Sequence, residues 1–267
     1  MKKVKIDAYR LLTRVRKEKP VIHHLTNWVT IYDCAQVVKT LGASPVMAHA
    51  HEEVVEMSNI ASSVVLNIGT LTSEFIEAMK LAAKSANKKG IPVILDVCGA
   101  GATKLRDDKS FELLKEVRID IIKGNSSEIA RIAGENVKTK GVDAAHVEAD
   151  LIAVARSLAQ KQQCTVVITG KEDIVTNGKK VYIVKNGDIM MTHVVGTGCM
   201  AASVIGTFAA VEKDLAYAAA CGLVCFEIAA ECVAKHAKGP AHFKELLFDR
   251  LYSIDKKTIN SLQRVEG

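Results

Sequence analysis

The stretch Pro92-Val-Ile-Leu-Asp96 is a nearly continuous apolar run that ends on a carboxylate. Such runs are typical of β-strands that are covered on both faces, because neither side of the strand has to meet water. An amphipathic helical pattern precedes it at residues 72–87, and a second one follows at residues 111–117. This alternation of helix and strand predicts a parallel sheet that lies between two layers of helices.

The same alternation extends along most of the chain. Similar short apolar runs predict further strands at residues 21–24, 62–67, 119–122 and 164–169. Further helical patterns occupy residues 28–41, 147–161, 199–211, 215–233 and 243–262. Asn177-Gly178 separates residues 173–176 from residues 179–184, and this dipeptide between β-rich runs predicts a hairpin. No repeat or linker is found, so we expect residues 1–267 to form a single α/β domain with three layers and a mostly parallel central sheet.

Composition excludes several classes of protein. Of the 267 residues, 49% are hydrophobic and 25% are charged, which excludes a disordered chain, a collagen and a coiled coil. The net charge is +6, but the basic residues are dispersed and only 4% of residues are aromatic. Nucleic acid is therefore not an expected partner, and the positive surplus fits anionic small molecules better.

The seven cysteines have no Cys-x-x-Cys or zinc-finger spacing. The first residues lack the apolar segment of a signal peptide. Since no run of about 20 apolar residues is present, we expect no membrane-spanning helix. These features together predict a cytoplasmic protein with free thiols.

The most informative motif is Gly196-Thr-Gly-Cys199, which precedes a long apolar helical pattern. Glycines let the backbone approach a ligand closely, and the first amides of a helix attract anions. Gly196, Thr197 and Gly198 are therefore a candidate anion hole for phosphoryl oxygens, although an ordinary turn before a helix would have the same composition. A helix start also lowers the pKa of a thiol, which makes Cys199 a candidate base or nucleophile, or merely a small residue at a tight position.

Polar side chains follow three of the predicted strands. In open parallel sheets, ligands bind beyond the carboxyl ends of the strands. Asp96 and Glu128 are therefore candidate ligands of Mg²⁺, and Lys123 and Thr169 are candidate contacts of phosphate groups. For Glu128 a second explanation is open, because Asn125 and Glu128 have the spacing of a helix capping box.

Two further candidates lie nearer the start of the chain. The amide of Asn27 and the thioether of Met47 suit a small heteroaromatic ligand, one to orient it and one to pack on its ring. His23 and His24 are consecutive on a predicted strand and should point to opposite faces. We therefore expect each histidine to make local hydrogen bonds and not to share a metal ion. Taken together, the strand ends and the Gly-Thr-Gly motif fit an α/β phosphotransferase.

The chain resembles the hydroxyethylthiazole kinases of thiamine salvage, which belong to the ribokinase-like superfamily. The resemblance covers nearly the whole chain, and its last motif is the most specific, because many ribokinase-like enzymes have Asp where Cys199 stands. The motifs are Gly42-Ala-Ser-Pro-Val-Met-Ala48, Asn67-Ile-Gly-Thr-Leu71, Gly99-Ala-Gly-Ala-Thr103, Gly124-Asn-Ser-Ser-Glu-Ile129 and Gly196-Thr-Gly-Cys-Met-Ala201.

This resemblance implies transfer of the γ-phosphate of ATP to the hydroxyl of 4-methyl-5-(2-hydroxyethyl)thiazole, assisted by Mg²⁺. It also implies a homotrimer with sites shared between neighbouring subunits. The implied site residues are Asn27, Met47, Gly69 and Gly196 for the thiazole, Lys123 and Thr169 for the nucleotide, Asp96 and Glu128 for Mg²⁺, and Cys199 for the acceptor hydroxyl.

Two departures from the family pattern lie among these residues. The family usually reads Asp-Pro-Val-Gly-Ala-Gly, whereas this chain has Asp96-Val-Cys-Gly-Ala-Gly101. The family also usually has Arg where Lys123 stands, and Lys offers a point charge in place of a bidentate fork.

Three alternative functions are compatible with the sequence. A kinase for hydroxymethylpyrimidine or pyridoxal, or a hydrate dehydratase of nicotinamide cofactors, would have the same fold, but either is expected to carry Asp at position 199. The third alternative is a catalytically degenerate protein that binds thiazole or nucleotide. The retained Asp96, Glu128 and Gly196-Thr-Gly198 argue against it.

Overall fold

The computed structural model describes residues 2–135 and 150–267. Within this part of the chain, ten strands form one sheet. The strands are β1 (Lys3–Val4), β2 (Val21–Leu25), β3 (Ser44–Val46), β4 (Ser63–Asn67), β5 (Val93–Asp96), β6 (Ile121–Asn125), β7 (Thr165–Thr169), β8 (Asp173–Thr176), β9 (Val181–Val184) and β10 (Val265–Glu266). The helices are α1 (Ala8–Glu18), α2 (Ile31–Leu41), α3 (Val54–Ile60), α4 (Ser73–Lys89), α5 (Lys104–Glu116), α6 (Ser126–Ala133), α7 (Leu151–Gln162), α8 (Thr197–Ala209), α9 (Leu215–Ala234), α10 (Pro240–Ser253) and α11 (Lys256–Leu262), with a 3₁₀ turn at Ile189–His193.

The strand order is β1-β10-β9-β8-β7-β6-β5-β4-β2-β3. The six strands from β7 to β3 are parallel, and β8, β9, β10 and β1 extend the sheet in antiparallel pairs. The mostly parallel central sheet that the sequence predicts is therefore confirmed. All six parallel strands end at the same edge of the sheet, which is where the candidate site residues lie.

Alternate residues of the central strands feed two separate hydrophobic cores. Val65, Ile94 and Ile121 belong to the core on the α8 and α9 side, whereas Leu66 and Leu95 belong to the core on the α4 side. Because side chains on a strand alternate between faces, this pattern covers the sheet on both sides. This arrangement explains why the strand sequences are nearly continuous apolar runs.

Strand register brings three polar residues into a row. Asn67 on β4 pairs with Asp96 on β5, and Asp96 pairs with Lys123 on β6. Each lies two residues beyond an apolar residue of the α8 side, so each side chain points to the layer that contains α8.

Several element boundaries differ from the predictions. The helix predicted at 28–41 begins at Ile31, because Asn27 Oδ1 accepts hydrogen bonds from the N–H groups of Val29 and Thr30 and holds them in a turn. The helix predicted at 111–117 begins seven residues earlier, at Lys104, since its first turns are too polar to show a hydrophobic period. Thr103 caps this earlier start by accepting a hydrogen bond from the N–H of Arg106.

The last part of the chain is not one continuous helix. The pattern at 243–262 is divided into α10 and α11, because Asp255 caps a new helix by accepting from the N–H of Thr258. Beyond α11, the two-residue strand β10 pairs with β9 and β1. This strand is too short to be predicted from the sequence. Of the helix predicted at 147–161, residues 147–149 lie outside the described residues and the remainder forms α7.

The predicted hairpin is present, with a longer turn than the Asn177-Gly178 signal indicates. Thr176 pairs with Val181, so residues 177–180 all belong to the loop. Asn177 Oδ1 accepts from the N–H groups of Lys179 and Lys180, and Gly178 has a φ of +85°. The side chain of Asn177 therefore closes the turn that the backbone would close in a two-residue loop.

Among the described residues, α9 is the one helix long and apolar enough to cross a membrane by length and composition, with a mean hydropathy of 1.6. Most of it is buried against α8, α10 and the sheet. Its apolar composition is therefore explained by its place in the core. The helix predicted at 215–233 is therefore confirmed, and Glu227 and Glu231 are the residues that interrupt its apolar run.

Candidate active site

The row of polar residues at the sheet edge is joined by direct contacts. Asn67 Nδ2 donates to Asp96 Oδ2 over 2.8 Å. Lys123 Nζ lies 3.4 Å from both oxygens of the Asp96 carboxylate. All three side chains are buried, so a carboxylate and an ammonium group face each other away from bulk water.

Cys199 lies in the first turn of α8, above this row. Its Sγ accepts from Asn67 Nδ2 and from Asn27 Nδ2, each over 3.3 Å. The two amides are also linked to each other, since Asn27 Nδ2 donates to Asn67 Oδ1 over 3.0 Å. The structure thus brings together Asn27, Asp96, Lys123 and Cys199, which the sequence analysis places in one site.

Three hydrogen-bond donors and a nearby cation favour the thiolate form of Cys199. Interaction with the Cys98 thiol contributes most, and with the Lys123 ammonium, Thr30 and Asn27 it lowers the pKa of the Cys199 thiol to about 5, against the effect of burial. The same interaction, together with burial, raises the pKa of the Cys98 thiol.

Burial has opposite effects on the two charged groups of the row. It raises the pKa of the Asp96 carboxyl to about 8, and the Lys123 ammonium opposes this shift. Burial alone would lower the pKa of Lys123, but the carboxylates of Asp96 and Glu128 outweigh it, and the pKa is raised. The lysine consequently keeps its positive charge beside the site.

The start of α8 has the close approach that an anion hole requires. Gly196 has a φ of +93°, and a Cβ there would lie 2.5 Å from Thr30 Cγ2. A Cβ on Gly198 would lie 3.2 Å from Lys123 Nζ, so the backbone of the motif passes close to the ammonium group. Thr197 Oγ1 donates to Met191 O over 2.9 Å and holds the motif against the preceding turn. Helix amides and a lysine therefore converge on one volume, which suits a phosphoryl group.

Glu128 has the capping role that the sequence left open. Asn125 Oδ1 accepts from the N–H of Glu128, and Glu128 Oε2 accepts from the N–H of Asn125 over 2.7 Å, which confirms the capping box. Glu128 Oε1 accepts from the N–H of Gly99 over 2.7 Å. The carboxylate thereby ties the loop after β5 to the start of α6, and a role toward Mg²⁺ stays a prediction.

The chemistry of the donor set is compatible with Mg²⁺. In residues 2–135 and 150–267, no cluster of three or more His, Cys, Asp or Glu side chains is arranged to hold a metal ion. Mg²⁺ in phosphoryl-transfer enzymes does not need such a cluster, because one or two carboxylates suffice when phosphates and waters complete the shell. Asp96 supplies one carboxyl group at the edge of the sheet, and among the described residues the hydrogen bond to its Oδ1 comes from the Lys123 ammonium.

The remaining predicted residues lie at different distances from this centre. Gly69 N donates to Asn67 Oδ1, and a Cβ there would lie 2.9 Å from that oxygen. Thr169 Oγ1 donates to Gly124 O and lines a groove of about 640 Å³ at the ends of β6 and β7. Met47 is half-buried just after β3, and no described contact joins it to the Cys199 cluster.

The two histidines do not share a site, as predicted. His23 contacts Ser58 Oγ and Ala48 O. His24 lies on the opposite face and contacts Ser203 Oγ of α8 and Ile22 O. Burial lowers the pKa of His24 to about 4, so this ring is neutral and structural.

Two residues that shape the site, Arg106 and Asn67, were not among the predicted site residues. Arg106 on α5 donates to three carbonyl oxygens, those of Ile68, Gly69 and Cys98, over 2.8–2.9 Å. It thereby holds the loops after β4 and β5 together, and nothing in its sequence context signals this. Asn67 could have been predicted as a site residue, because it is a polar residue at the end of an apolar strand.

Comparison with known proteins gives one consistent result. The model of the hydroxyethylthiazole kinase family matches residues 12–257. The chain belongs to this family. The expectation from the sequence is thus confirmed, and the chain is assigned to the phosphotransferases.

Individual relatives agree with this assignment. A hydroxyethylthiazole kinase of Methanosarcina mazei is 50% identical over 96% of this chain and 98% of its own length. The structure of a hydroxyethylthiazole kinase protein from Pyrococcus horikoshii OT3 has a TM-score of 0.90 at 39% identity, over 97% of this chain and 98% of that one. A ribokinase-like superfamily protein from Enterococcus faecalis V583 has a TM-score of 0.65 at 13% identity, over 95% and 99%, and shows the shared fold.

Proposed function

We propose that this protein transfers the γ-phosphate of ATP to the hydroxyl of 4-methyl-5-(2-hydroxyethyl)thiazole with the help of Mg²⁺. The observation that carries the proposal is the position of Cys199 between the amides of Asn27 and Asn67 on one side and the Gly196–Gly198 backbone on the other. An alcohol held at the sulfur would face a phosphoryl group held at the start of α8.

Cys199 acts in this proposal as the base for the acceptor. Its thiolate accepts the hydroxyl proton while the oxygen forms a bond to the γ-phosphorus and the bond to the β-phosphate oxygen breaks. A thiolate is a modest base, but phosphoryl transfer is largely dissociative, so the proton leaves late. General base help of this kind contributes about 10²–10⁴-fold, and Cys199 assists without being indispensable.

The opposite side of the site neutralises the charge of the phosphates. The buried Lys123 ammonium and the first amides of α8 face the same volume and would contact phosphoryl oxygens. Asp96, with Glu128 in an outer position, would hold Mg²⁺, which supplies charge neutralisation on the β- and γ-phosphate oxygens when bound. The groove beside Thr169 is the candidate position for the rest of the nucleotide.

Asn27, Met47, Gly69 and Gly196 are proposed to surround the thiazole. The Asn27 amide is fixed by five hydrogen bonds, because Nδ2 donates to Asn67 and Cys199 while Oδ1 accepts from Val29 N, Thr30 N and Thr30 Oγ1. A fixed polar group of this kind orients a ligand at low entropic cost.

We also propose a homotrimer whose sites lie between neighbouring subunits. Exposed apolar side chains flank the site, since Val29 is 68% exposed and Val195 is 72% exposed. Val29 precedes Thr30 and Val195 precedes Gly196, the two residues that approach each other at the start of α8. Tyr32 and Ile189 are also exposed. Contact with a second copy would cover these side chains, and light scattering on the purified protein measures the assembly. We further propose that the chain is a single catalytic domain and that the protein is cytoplasmic.

An ATP-consumption assay tests the proposed reaction. Purified protein is mixed with ATP and hydroxyethylthiazole, hydroxymethylpyrimidine or pyridoxal, each with and without Mg²⁺, and the phosphate ester is identified by mass. ADP should form with hydroxyethylthiazole and Mg²⁺ well above the two other acceptors. Tight binding of thiazole without any release of ADP would instead identify a non-catalytic binder.

A further inference from the structure

One guanidinium group joins two of the loops that form the candidate site. Arg106 lies in the first turn of α5 and is half-buried. Its Nη1 donates to Ile68 O over 2.9 Å and to Cys98 O over 2.8 Å, and its Nη2 donates to Gly69 O over 2.8 Å. Ile68 and Gly69 belong to the loop after β4, whereas Cys98 belongs to the loop after β5. The proposed phosphoryl transfer gives Arg106 no task, so these three hydrogen bonds require a separate explanation.

We propose that Arg106 is a positioning residue, which holds the acceptor side of the site at a fixed distance from the side that binds Mg²⁺ and phosphate. The proposal rests on the proposed function, because it assigns a task within the same reaction. Gly69 is one of the residues proposed to surround the thiazole, and the loop after β5 begins next to Asp96, the proposed Mg²⁺ ligand. An arginine that contacts both loops therefore controls how closely the acceptor hydroxyl approaches the γ-phosphorus.

A glycine in the loop after β5 lets the guanidinium approach the backbone closely. Gly99 has a φ of +79°, and a Cβ there would lie 2.9 Å from Arg106 Nη1. On the other side, the N–H of Gly99 donates to Glu128 Oε1 over 2.7 Å. The loop after β5 is thus held between Arg106 and Glu128, and a side chain at position 99 would displace the guanidinium from its acceptors.

The start of α5 is itself fixed to the same loop. Thr103 Oγ1 accepts from the N–H of Arg106 over 3.3 Å, and Asp107 Oδ1 accepts from the N–H of Gly101 over 2.7 Å. Asp107 Oδ2 also pairs with Arg131 Nη2 of α6 over 2.8 Å. The guanidinium therefore extends from an anchored helix end, and it can hold both loops in one geometry. Accurate placement matters, because a displacement of about 1 Å far from the reacting atoms costs about 10²-fold in rate.

The arrangement uses the shape of arginine as well as its charge. A guanidinium offers five N–H donors in a rigid planar fork, whereas a lysine ammonium is a compact charge on a flexible stem. At Arg106 two nitrogens of the fork reach three carbonyl oxygens on two loops. Lysine at this position would keep the positive charge but would not span both loops, which allows an experiment to separate positioning from charge.

The single tryptophan of the chain provides a spectroscopic signal for the loop after β4. Trp28 N donates to Thr70 Oγ1 over 3.1 Å, and Thr70 directly follows Gly69. The Trp28 ring is half-exposed, and its centroid lies 4.7 Å from that of His49. If Arg106 holds this loop, Arg106→Ala should increase the quenching of Trp28 fluorescence by acrylamide. This measurement needs no catalytic activity.

Steady-state kinetics of Arg106→Ala in the full-length protein tests the positioning role. We expect kcat with hydroxyethylthiazole to fall about 10²-fold. KM for hydroxyethylthiazole should rise several-fold while KM for ATP changes little, because the acceptors of Arg106 lie on the loops after β4 and β5 and not at the proposed nucleotide residues. Loss of folded protein alone would lower kcat without changing either KM. Arg131→Ala removes another arginine that contacts α5, and as the matched control it should keep both KM values.

Two further measurements make the result independent of folding. Arg106→Lys should unfold in urea close to wild type and still show the same difference between the two KM values. Added guanidinium ion should restore part of the kcat of Arg106→Ala, because the shortened side chain leaves room for the ion between the two loops. It should not restore Arg106→Lys, and potassium chloride at the same ionic strength should restore neither variant.

The outcomes separate this inference from the proposed function. A wild type that forms no ADP with hydroxyethylthiazole contradicts the proposed function, while acrylamide quenching of Trp28 still measures whether Arg106 holds the loop. With an active wild type, an unchanged KM for hydroxyethylthiazole in both Arg106 variants, or a rise in KM for ATP alone, overturns the positioning role. Unchanged quenching in Arg106→Ala, or wild-type kinetics of Arg106→Lys, overturns it as well.

Discussion

The sheet buries carboxyl groups in two places, and their partners differ. At the edge of the parallel strands, Asp96 lies beside the Lys123 ammonium and an amide donor. Under α9, Asp173 on β8 lies close to Glu227, a second carboxyl group. Within the described structure, Asp173 Oδ2 and Glu227 Oε2 have no hydrogen-bond partner.

The two regions differ in the group that faces the buried carboxyl. In the first region the Lys123 ammonium opposes the rise that burial causes in the pKa of Asp96, so a cation and a carboxyl group lie together at the edge where ligands enter. In the second region two like charges cannot both be buried, so the pair holds a proton: burial raises the pKa of Asp173 and raises that of Glu227 well above its usual value. A buried carboxyl group thus favours a reaction site more where a cation faces it than where a second acid does.

Removing the cation from the first region would make it resemble the second. Lys123→Met leaves Asp96 and Glu128 without a counter-charge, and loss of one partner of a buried ion pair costs about 3–5 kcal/mol. We expect a marked loss of stability to urea and loss of all measurable kinase activity. Lys123→Arg keeps the charge and is the matched control. Equal stability of the Met and Arg variants would show that the lysine does not balance the carboxylates.

Removing the carboxylate tests the metal role of the first region. Asp96→Asn should lower kcat by about 10³-fold, because the ligand that positions Mg²⁺ is lost, and higher Mg²⁺ should restore part of the activity. A Mg²⁺ titration of kcat for wild type and variant measures this. Glu245→Gln, an exposed change on α10, is the control. Unchanged activity of Asp96→Asn at every Mg²⁺ concentration would remove Asp96 from the metal site.

Loss of the proposed base, Cys199, should lower kcat less than loss of Lys123 or Asp96. Cys199→Ala should slow turnover by about 10²-fold and leave detectable activity, since general base help is a modest part of phosphoryl transfer. Cys199→Asp should remain active, because a carboxylate can accept the same proton. Steady-state kcat for the three proteins gives the comparison. A folded but inactive Cys199→Asp would count against the assigned role.

The sequence alone was sufficient to locate the first region but not the second. Asn27, Asp96, Lys123 and Cys199 each follow an apolar strand or begin a helix, and parallel register brings such positions to one edge. The Asp173–Glu227 pair joins a strand to a helix that is distant in sequence. In sequence, Glu227 is simply an acidic residue in an apolar helix, with no sign that it faces another acid.

Supporting contacts were unpredictable for the same reason. Arg106 lies on a polar helix whose pattern resembles a solvated surface, yet it donates to carbonyls of two loops. Thr30 approaches Gly196 only because α2 and α8 pack together. Local patterns determine where each strand and helix lies, whereas contacts of this type depend on how those elements pack.

The acid pair is expected to respond to pH in a direction opposite to an ordinary ion pair. Glu227 faces Asp173, with Glu231 and Arg264 nearby, and its folded-state pKa lies above the unfolded value of 4.5. Between these two values the folded protein binds more protons, so stability is greatest below about pH 4.5 for this group and falls as the pH rises toward the folded pKa. The slope should reach up to about 1.4 kcal/mol per pH unit for one proton.

Glu227→Gln isolates this contribution, because the amide keeps a hydrogen-bond donor for Asp173 and has no proton to lose. The free energy of unfolding, measured in urea between pH 5 and 9, should fall less steeply for Glu227→Gln than for wild type, and kinase activity at neutral pH should change little. Glu245→Gln, on the exposed side of α10, should follow the wild-type slope. Parallel slopes for Glu227→Gln and wild type would mean that both carboxyls are ionised in the folded protein, so that the second region would have to hold a cation, as the first one does.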